Sequence, residues 1–151
     1  MNSAAAPLAW RVVHRDFLAG AFDGSGARRY GGRWNPPGVA AVYSSESLAL
    51  AVLEVYAYLQ NWKLLRERFC WLRVRLPTSP QDFPLPPHWR SDLTASRDVG
   101  RQFLSTPKAL CLRIPSALLP DSHNLLLAPN HPDFVNLQPE GPFELELDAR
   151  L

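Results

Sequence analysis

Several features that would assign a protein to a chemical class are missing here. The 151 residues include only two cysteines, Cys70 and Cys111. They form no Cys-x-x-Cys pair, so a zinc ribbon is excluded. Neither has a neighbouring histidine or lysine in sequence to lower its pKa. Both lie in strand-like runs and are expected to be buried free thiols of a reducing compartment. No hydrophobic run is long enough to span a membrane. The longest, Leu48 to Leu59, falls short of a span and carries Glu54. The opening MNSAAAPLAW has neither a basic stretch nor a continuous apolar stretch, so no secretory leader is expected and a soluble, cytoplasmic protein is. A net charge of +2 is too small for a nucleic-acid footprint. His88, His123 and His131 are scattered and do not match a metal-ligand spacing. Gly-x-Ser-x-Gly is absent, which argues against a serine hydrolase.

Proline, by contrast, is abundant: 15 residues, about twice the roughly 5% average. Prolines collect in loops and at element ends, so a fold with many irregular connections is expected. With 46% hydrophobic residues, the chain can bury a core without disulfides. Its length fits one domain over residues 1–151.

Residues 9–14 are β-branched and aromatic and predict a first strand. Residues 15–38 hold six glycines without periodicity, and predict a long loop of the kind that carries function. Val39–Tyr43 reads as a buried strand. Ser44, Ser45 and Ser47 offer hydroxyl caps to a helix over 47–60. Residues 69–76 alternate and predict a strand with one solvated face. The proline-rich 77–87 must be a loop. A short helix is expected over 97–104, with strands over 109–114, 124–127 and 143–147. Many short strands and two or three helices predict an α+β domain with a mixed sheet.

Three places carry candidate chemistry. The segment from Gly24 to Pro36 combines glycines, three arginines, Tyr30 and Trp34. Arginine forks match phosphate oxygens and aromatic faces can stack on a base. The same composition also suits a flexible basic surface loop, and the dinucleotide-binding Gly-x-Gly-x-x-Gly is not completed. Glu54 is the sole charge in LALAVLEVYAYL, and an unpartnered carboxylate is costly to bury. It sits either at the edge of the apolar stripe beside an arginine, or at the floor of a pocket. Ser116 follows a strand that Pro115 terminates, as a cap or turn serine or as a site residue. His131 and Asp133 suit a local turn network.

The strings GARRYGGRWNPPGVAAVYSSESLALAVLEV and IPSALLPDSHNLLLAPNHPDF resemble RES-domain proteins. The likeness covers about residues 9–135. It implies an ADP-ribosyltransferase-like α+β fold and the toxin half of a bacterial toxin–antitoxin pair. The implied activity consumes NAD⁺ as substrate, by hydrolysis or phosphorolysis at the nicotinamide–ribose bond, and calls for no metal. ADP-ribosylation of a protein is one alternative, and a silent module that binds NAD⁺ or an antitoxin is another. Matching position by position, the resemblance assigns catalysis to Arg33, Glu54 and Ser116. It assigns NAD⁺ binding to Arg11, Arg33, Tyr43 and Ser116. The implied partner is an Xre-family antitoxin on a homodimer, with DNA contacted only through the antitoxin. Ala128 departs from the pattern, standing where an amide side chain is expected.

Overall fold

The computed structural model describes residues 6–151. The expected absence of a leader therefore lies partly outside the described residues. Six strands form one sheet: β1 Leu8–His14, β2 Val42–Ser45, β3 Phe69–Arg75, β4 Cys111–Pro115, β5 His123–Leu127 and β6 Glu140–Glu144. Their order is β4-β5-β2-β1-β3-β6. Every strand pair is antiparallel. Parallel pairing enters at the isolated bridge Gln81–Leu112, where the proline-rich loop lies along β4. There Gln81 N–H donates to the Cys111 carbonyl and Arg113 N–H to the Gln81 carbonyl, which covers an otherwise open sheet edge.

The seam between β1 and β2 positions the site. β1 pairs with β3 along its whole length, from Leu8–Arg75 to His14–Phe69. It meets β2 at one register pair, Trp10–Ser45. The sheet is thus two well-laced halves, β4-β5-β2 and β1-β3-β6, joined at a single point.

Strand alternation divides the core between the two faces. Ala9, Val42, Val74, Leu125 and Leu127 pack on one side with Phe22, Phe134 and Leu137. On the other side Val12 meets Ala51, Val55, Leu65 and Phe69. There also Leu112, Ile114 and Leu126 meet Trp34, Val99 and Phe103. This second face carries helices α2 Leu48–Leu59, α3 Trp62–Arg68 and α4 Leu93–Ser105.

Ser47 begins α2 by accepting the Leu50 N–H, and Gln60 in the left-handed region ends it, as cap chemistry dictates. Ser44 and Ser45, also offered as caps by the sequence, are strand residues with buried side chains. Asn61 caps α3 by accepting the Leu64 N–H, and this short helix is an addition to the expected elements. A six-residue helix α1, Ser25–Tyr30, and a 3-10 segment, Arg15–Gly20, occupy the region expected to be loop.

The last strand lies earlier than 143–147. Pro142 and the register shift opposite Trp71 and Arg73 restrict pairing to an edge strand, where proline is tolerated. Leu145 and Leu147 keep their alternation but use it to pack beside α2 and α3. Cys70 and Cys111 are buried free thiols.

Candidate active site

Glu54 projects from the middle of α2 toward the end of the sheet. Its Oε1 accepts two hydrogen bonds, from Ser116 Oγ at 2.6 Å and from Asn124 Nδ2 at 2.7 Å. Glu54 and Ser116 lie 62 positions apart in sequence. The β4–β5 hairpin brings them together, with Ser116 just past β4 and Asn124 near the start of β5. Among the described residues no hydrogen bond is formed at Oε2, and Glu54 is only partly buried. One carboxylate oxygen is therefore locked and the other is open. Both donors converge on Oε1, which supplies both acceptor directions and leaves Oε2 without a protein partner among the described residues.

Ser116 is fully buried. Its oxygen accepts the N–H groups of Leu118 at 3.1 Å and Leu119 at 3.3 Å. With both acceptor directions filled, the one hydroxyl proton is directed to Glu54. Ser116 therefore combines the two readings the sequence left open. It is a turn serine, and the same hydroxyl holds the site carboxylate.

The Arg33 segment is built on Asn35 and Tyr43. Asn35 is fully buried and donates to the Ala27 and Val39 carbonyls at 2.8 and 2.9 Å. Tyr43 donates its hydroxyl to Asn35 Oδ1 at 2.6 Å and accepts the Trp34 N–H at 3.0 Å. Desolvation raises the Tyr43 phenol well above its ordinary value, so it stays neutral. Gly32 lies over this hydroxyl so closely that a Cβ there would stand 2.6 Å from it. The glycine thus serves a close approach to Tyr43 rather than to a ligand. Trp34 is a core residue, 2% exposed, packed beside Trp89. Burial leaves it no free face for a base, contrary to the sequence reading, whereas Tyr30 is 73% exposed.

Helix α4 grips the same segment from behind. Ser96 Oγ donates to the Arg33 carbonyl at 2.6 Å and Arg97 Nε to the Gly32 carbonyl at 2.9 Å. The Arg33 guanidinium donates to the Arg90 carbonyl at 3.0 Å. Arg90 Nε in turn donates to the Ala117 carbonyl at 2.8 Å. The Arg33 loop is thereby tied to the residue next to Ser116.

Arg11 lies at the seam of the sheet. Its guanidinium donates to the Ala21 carbonyl at 2.7 Å and to the Tyr43 carbonyl at 2.6 Å, using a strand carbonyl where β1 and β2 part. Burial pulls its pKa below the ordinary guanidinium value, though arginine remains cationic at neutral pH. The ion pairs of the described residues fall elsewhere, on none of Arg11, Arg33, Arg90 and Arg97. Asp23 acts on Arg11 through space, and none of the four has a carboxylate within ion-pair distance among the described residues, which suits an anionic ligand.

Of the residues picked from sequence, Glu54 and Ser116 bond directly, Tyr43 underlies the Arg33 loop, and Arg11 reaches the Tyr43 backbone. No direct bond joins Arg11 or Arg33 to Glu54 among the described residues. Asn124, Ser45, Asn35, Arg90 and Arg97 were missed by sequence reasoning. Only the polar Asn124 at the head of an otherwise apolar strand offered a signal. Ala128 is buried in the core, and the neighbouring Asn130 supplies an amide bonded to the Leu104 carbonyl. His131 Nδ1 accepts the Asp133 N–H at 3.1 Å, the local turn expected of that pair. A cleft of about 620 Å³ lies by Arg75, Leu137 and Gln138, away from Glu54. It offers no chemistry comparable to the carboxylate site, which stands on its residues rather than on concavity.

Several known proteins are similar to this chain. Toxin Res of Yersinia enterocolitica is 37% identical over 153 residues, covering 95% of this chain and 99% of its own. The Prs ADP-ribosylating toxin of a Sphingobium species is 33% identical over 137 residues, covering 82% of this chain and 83% of its own. The NAD(+) phosphorylase MbcT of Mycobacterium tuberculosis is 39% identical over 67 residues, 44% of this chain and 34% of its own. The crystal structure of the M. tuberculosis MbcT–MbcA toxin–antitoxin complex matches with a TM-score of 0.61 at 22% identity, covering 90% of this chain and 82% of that one. At that identity the likeness speaks for the α+β, ADP-ribosyltransferase-like fold. A family model described as RES domain matches residues 8–148, a span that contains the split sheet, the Arg33 loop and the Glu54–Ser116 pair, and the chain belongs to the RES domain family.

Proposed function

We propose that this protein is a toxin that consumes NAD⁺ by cleaving the bond between nicotinamide and its ribose. The observation that carries the reading is Glu54: one carboxylate oxygen is locked by two donors and the other is free of protein partners among the described residues, and Arg90 ties the Arg33 loop to the residue next to Ser116. Cleavage of this bond develops positive charge on the ribose, and catalysis requires groups complementary to that charge. Glu54 Oε2 would meet the ribose, accepting from its hydroxyls and stabilising the cation-like sugar. Arg33, with Arg11, would pair with the diphosphate through planar donors. Ser116 acts through Glu54 as a positioning residue, and Tyr43 holds the Arg33 loop. The C1′–N bond breaks with its electrons going to nicotinamide. An incoming oxygen then bonds to C1′: water gives ADP-ribose and a proton, and phosphate gives ADP-ribose 1″-phosphate.

The NAD(+) phosphorylase MbcT favours phosphate as the acceptor. The Prs ADP-ribosylating toxin supports the second reading, transfer to a protein. A cytoplasmic site of action follows, since NAD⁺ is the substrate. The MbcT–MbcA complex supports an antitoxin partner. An Xre-type antitoxin on a homodimer is the assembly implied by the resemblance, and co-purification with a sized complex tests it.

Purified protein incubated with NAD⁺, with and without phosphate, tests the reading. Wild type is expected to release nicotinamide. Glu54→Gln keeps the side-chain shape and should fall on the order of 10²- to 10³-fold. Release by Glu54→Gln equal to wild type contradicts the role of Glu54. Phosphate dependence identifies phosphorolysis, and a labelled protein band from labelled NAD⁺ in lysate identifies transfer.

A further inference from the structure

Glu54 is held by a relay that begins in β2, and this relay deepens the reading above, on which it rests. Ser45 is 3% exposed. Its Oγ donates to Asn124 Oδ1 at 2.7 Å, and Asn124 Nδ2 donates to Glu54 Oε1 at 2.7 Å. The register pair Ser45–Asn124 joins β2 to β5, and Ser45 also pairs with Trp10 of β1. The relay therefore starts at the single point where the two halves of the sheet meet.

The direction of each bond is fixed by chemistry. A carboxylate only accepts, so Asn124 must present its NH₂ to Glu54. Its Oδ1 then points to Ser45, which must donate. Ser116 closes the far side, its proton also directed to Oε1. No buried side-chain polar atom of the described residues lacks a partner, and reversing the Asn124 amide would set its oxygen against Glu54 Oε1.

We propose that Asn124, oriented by Ser45, is a positioning residue for NAD⁺ cleavage. It pins Oε1 so that Oε2 alone faces the substrate ribose. Ser116 cannot do this by itself, because one hydrogen bond leaves the carboxylate free to rotate about its terminal torsion. Two donors converging on one oxygen fix the plane of the group.

Asn124→Asp is nearly isosteric and tests the relay. It replaces a donor to Glu54 with a second carboxylate, and two adjacent carboxylates do not both ionise cheaply. The expected result is a kcat fall of about 10- to 100-fold with KM for NAD⁺ little changed. The acid limb of the pH–rate profile should move to higher pH. A purely structural role lowers Tm in an uncharged variant such as Asn124→Leu and leaves its kcat at the wild-type value. Asn124→Leu, which removes the donor without adding charge, should lower kcat and leave the acid limb nearer wild type. Wild-type kcat and an unmoved acid limb in a folded Asn124→Asp protein overturn the proposal.

If wild type itself releases no nicotinamide, the functional reading fails and the relay is read separately. Titration of the ¹³C-labelled Glu54 carboxyl then gives a midpoint that shifts upward in Asn124→Asp if the relay exists. An unshifted midpoint overturns it.

Discussion

At the scale of single residues, the site depends on polar groups that face protein before they face substrate. Tyr43 is the clearest case. Its hydroxyl serves Asn35 and the Trp34 N–H together. Tyr43→Phe should therefore cost about 1–3 kcal/mol in urea unfolding, because two polar partners are left unsatisfied. It should also raise KM for NAD⁺ by loosening the Arg33 loop, while kcat changes less. Cys111 gives a pH-dependent prediction. Burial pushes its thiol from the ordinary 9.0 up to about 12. The unfolded chain then loses the proton first, so this contribution to stability is full below about pH 9 and is lost as pH rises toward 12. Unfolding free energy measured across that range should fall less steeply in Cys111→Ala than in wild type. An identical slope contradicts the assignment. The same burial predicts that alkylating reagents leave Cys111 intact in the folded protein near neutral pH.

At the scale of elements, the contact between α4 and the Arg33 loop decides the geometry. Gly100 sits where a Cβ would overlap the Trp34 carbonyl outright. Glycine to alanine within a helix ordinarily stabilises by up to about 1 kcal/mol. Here the sign reverses: Gly100→Ala should destabilise by about 1–3 kcal/mol or more through overpacking, read as a lowered Tm. An unchanged or raised Tm contradicts this packing.

Legibility in the sequence also differed by element. α2 was readable because apolar residues, the Ser47 cap and Glu54 all agree locally, whereas the strand before it lies at Val42–Ser45 rather than Val39–Tyr43. α1 escaped detection because SGARRY has no apolar stripe. Gly24 and Gly31, both at positive φ, delimit it, and tertiary contacts hold it. α3 carried a readable signal in Asn61, but only Gln60 and Asn61 separate it from α2, and the sequence reading left residues 61–68 unassigned. Trp34 was misread as a stacking face because a tryptophan inside a glycine-rich segment looks exposed until α4 and Trp89 cover it.

At the scale of the whole molecule, the site is a product of topology. Glu54 and Asn124 lie 70 positions apart and meet because β5 pairs with β2 rather than with its nearest neighbours in sequence alone. No local pattern encodes that pairing, so Ser45 and Asn124 were invisible as a pair. Arg33, Glu54 and Ser116 were singled out through the order of motifs in a resembling family, and the structure bonds Ser116 to Glu54 and links the Arg33 loop to Ala117 through Arg90. The split sheet, with β1 and β2 meeting at Trp10–Ser45, sets Arg11, the Arg33 loop and the Glu54 carboxylate around one seam.

The central claim is that these groups together consume NAD⁺. The direct measurement is induced expression of this chain without a partner in a bacterium, following total NAD⁺ and growth. Wild type should lower both. Glu54→Gln and Arg33→Ala, expressed to the same level, should lower neither. Arrested growth with NAD⁺ unchanged, or an equal loss of NAD⁺ in the Glu54→Gln strain, contradicts the account.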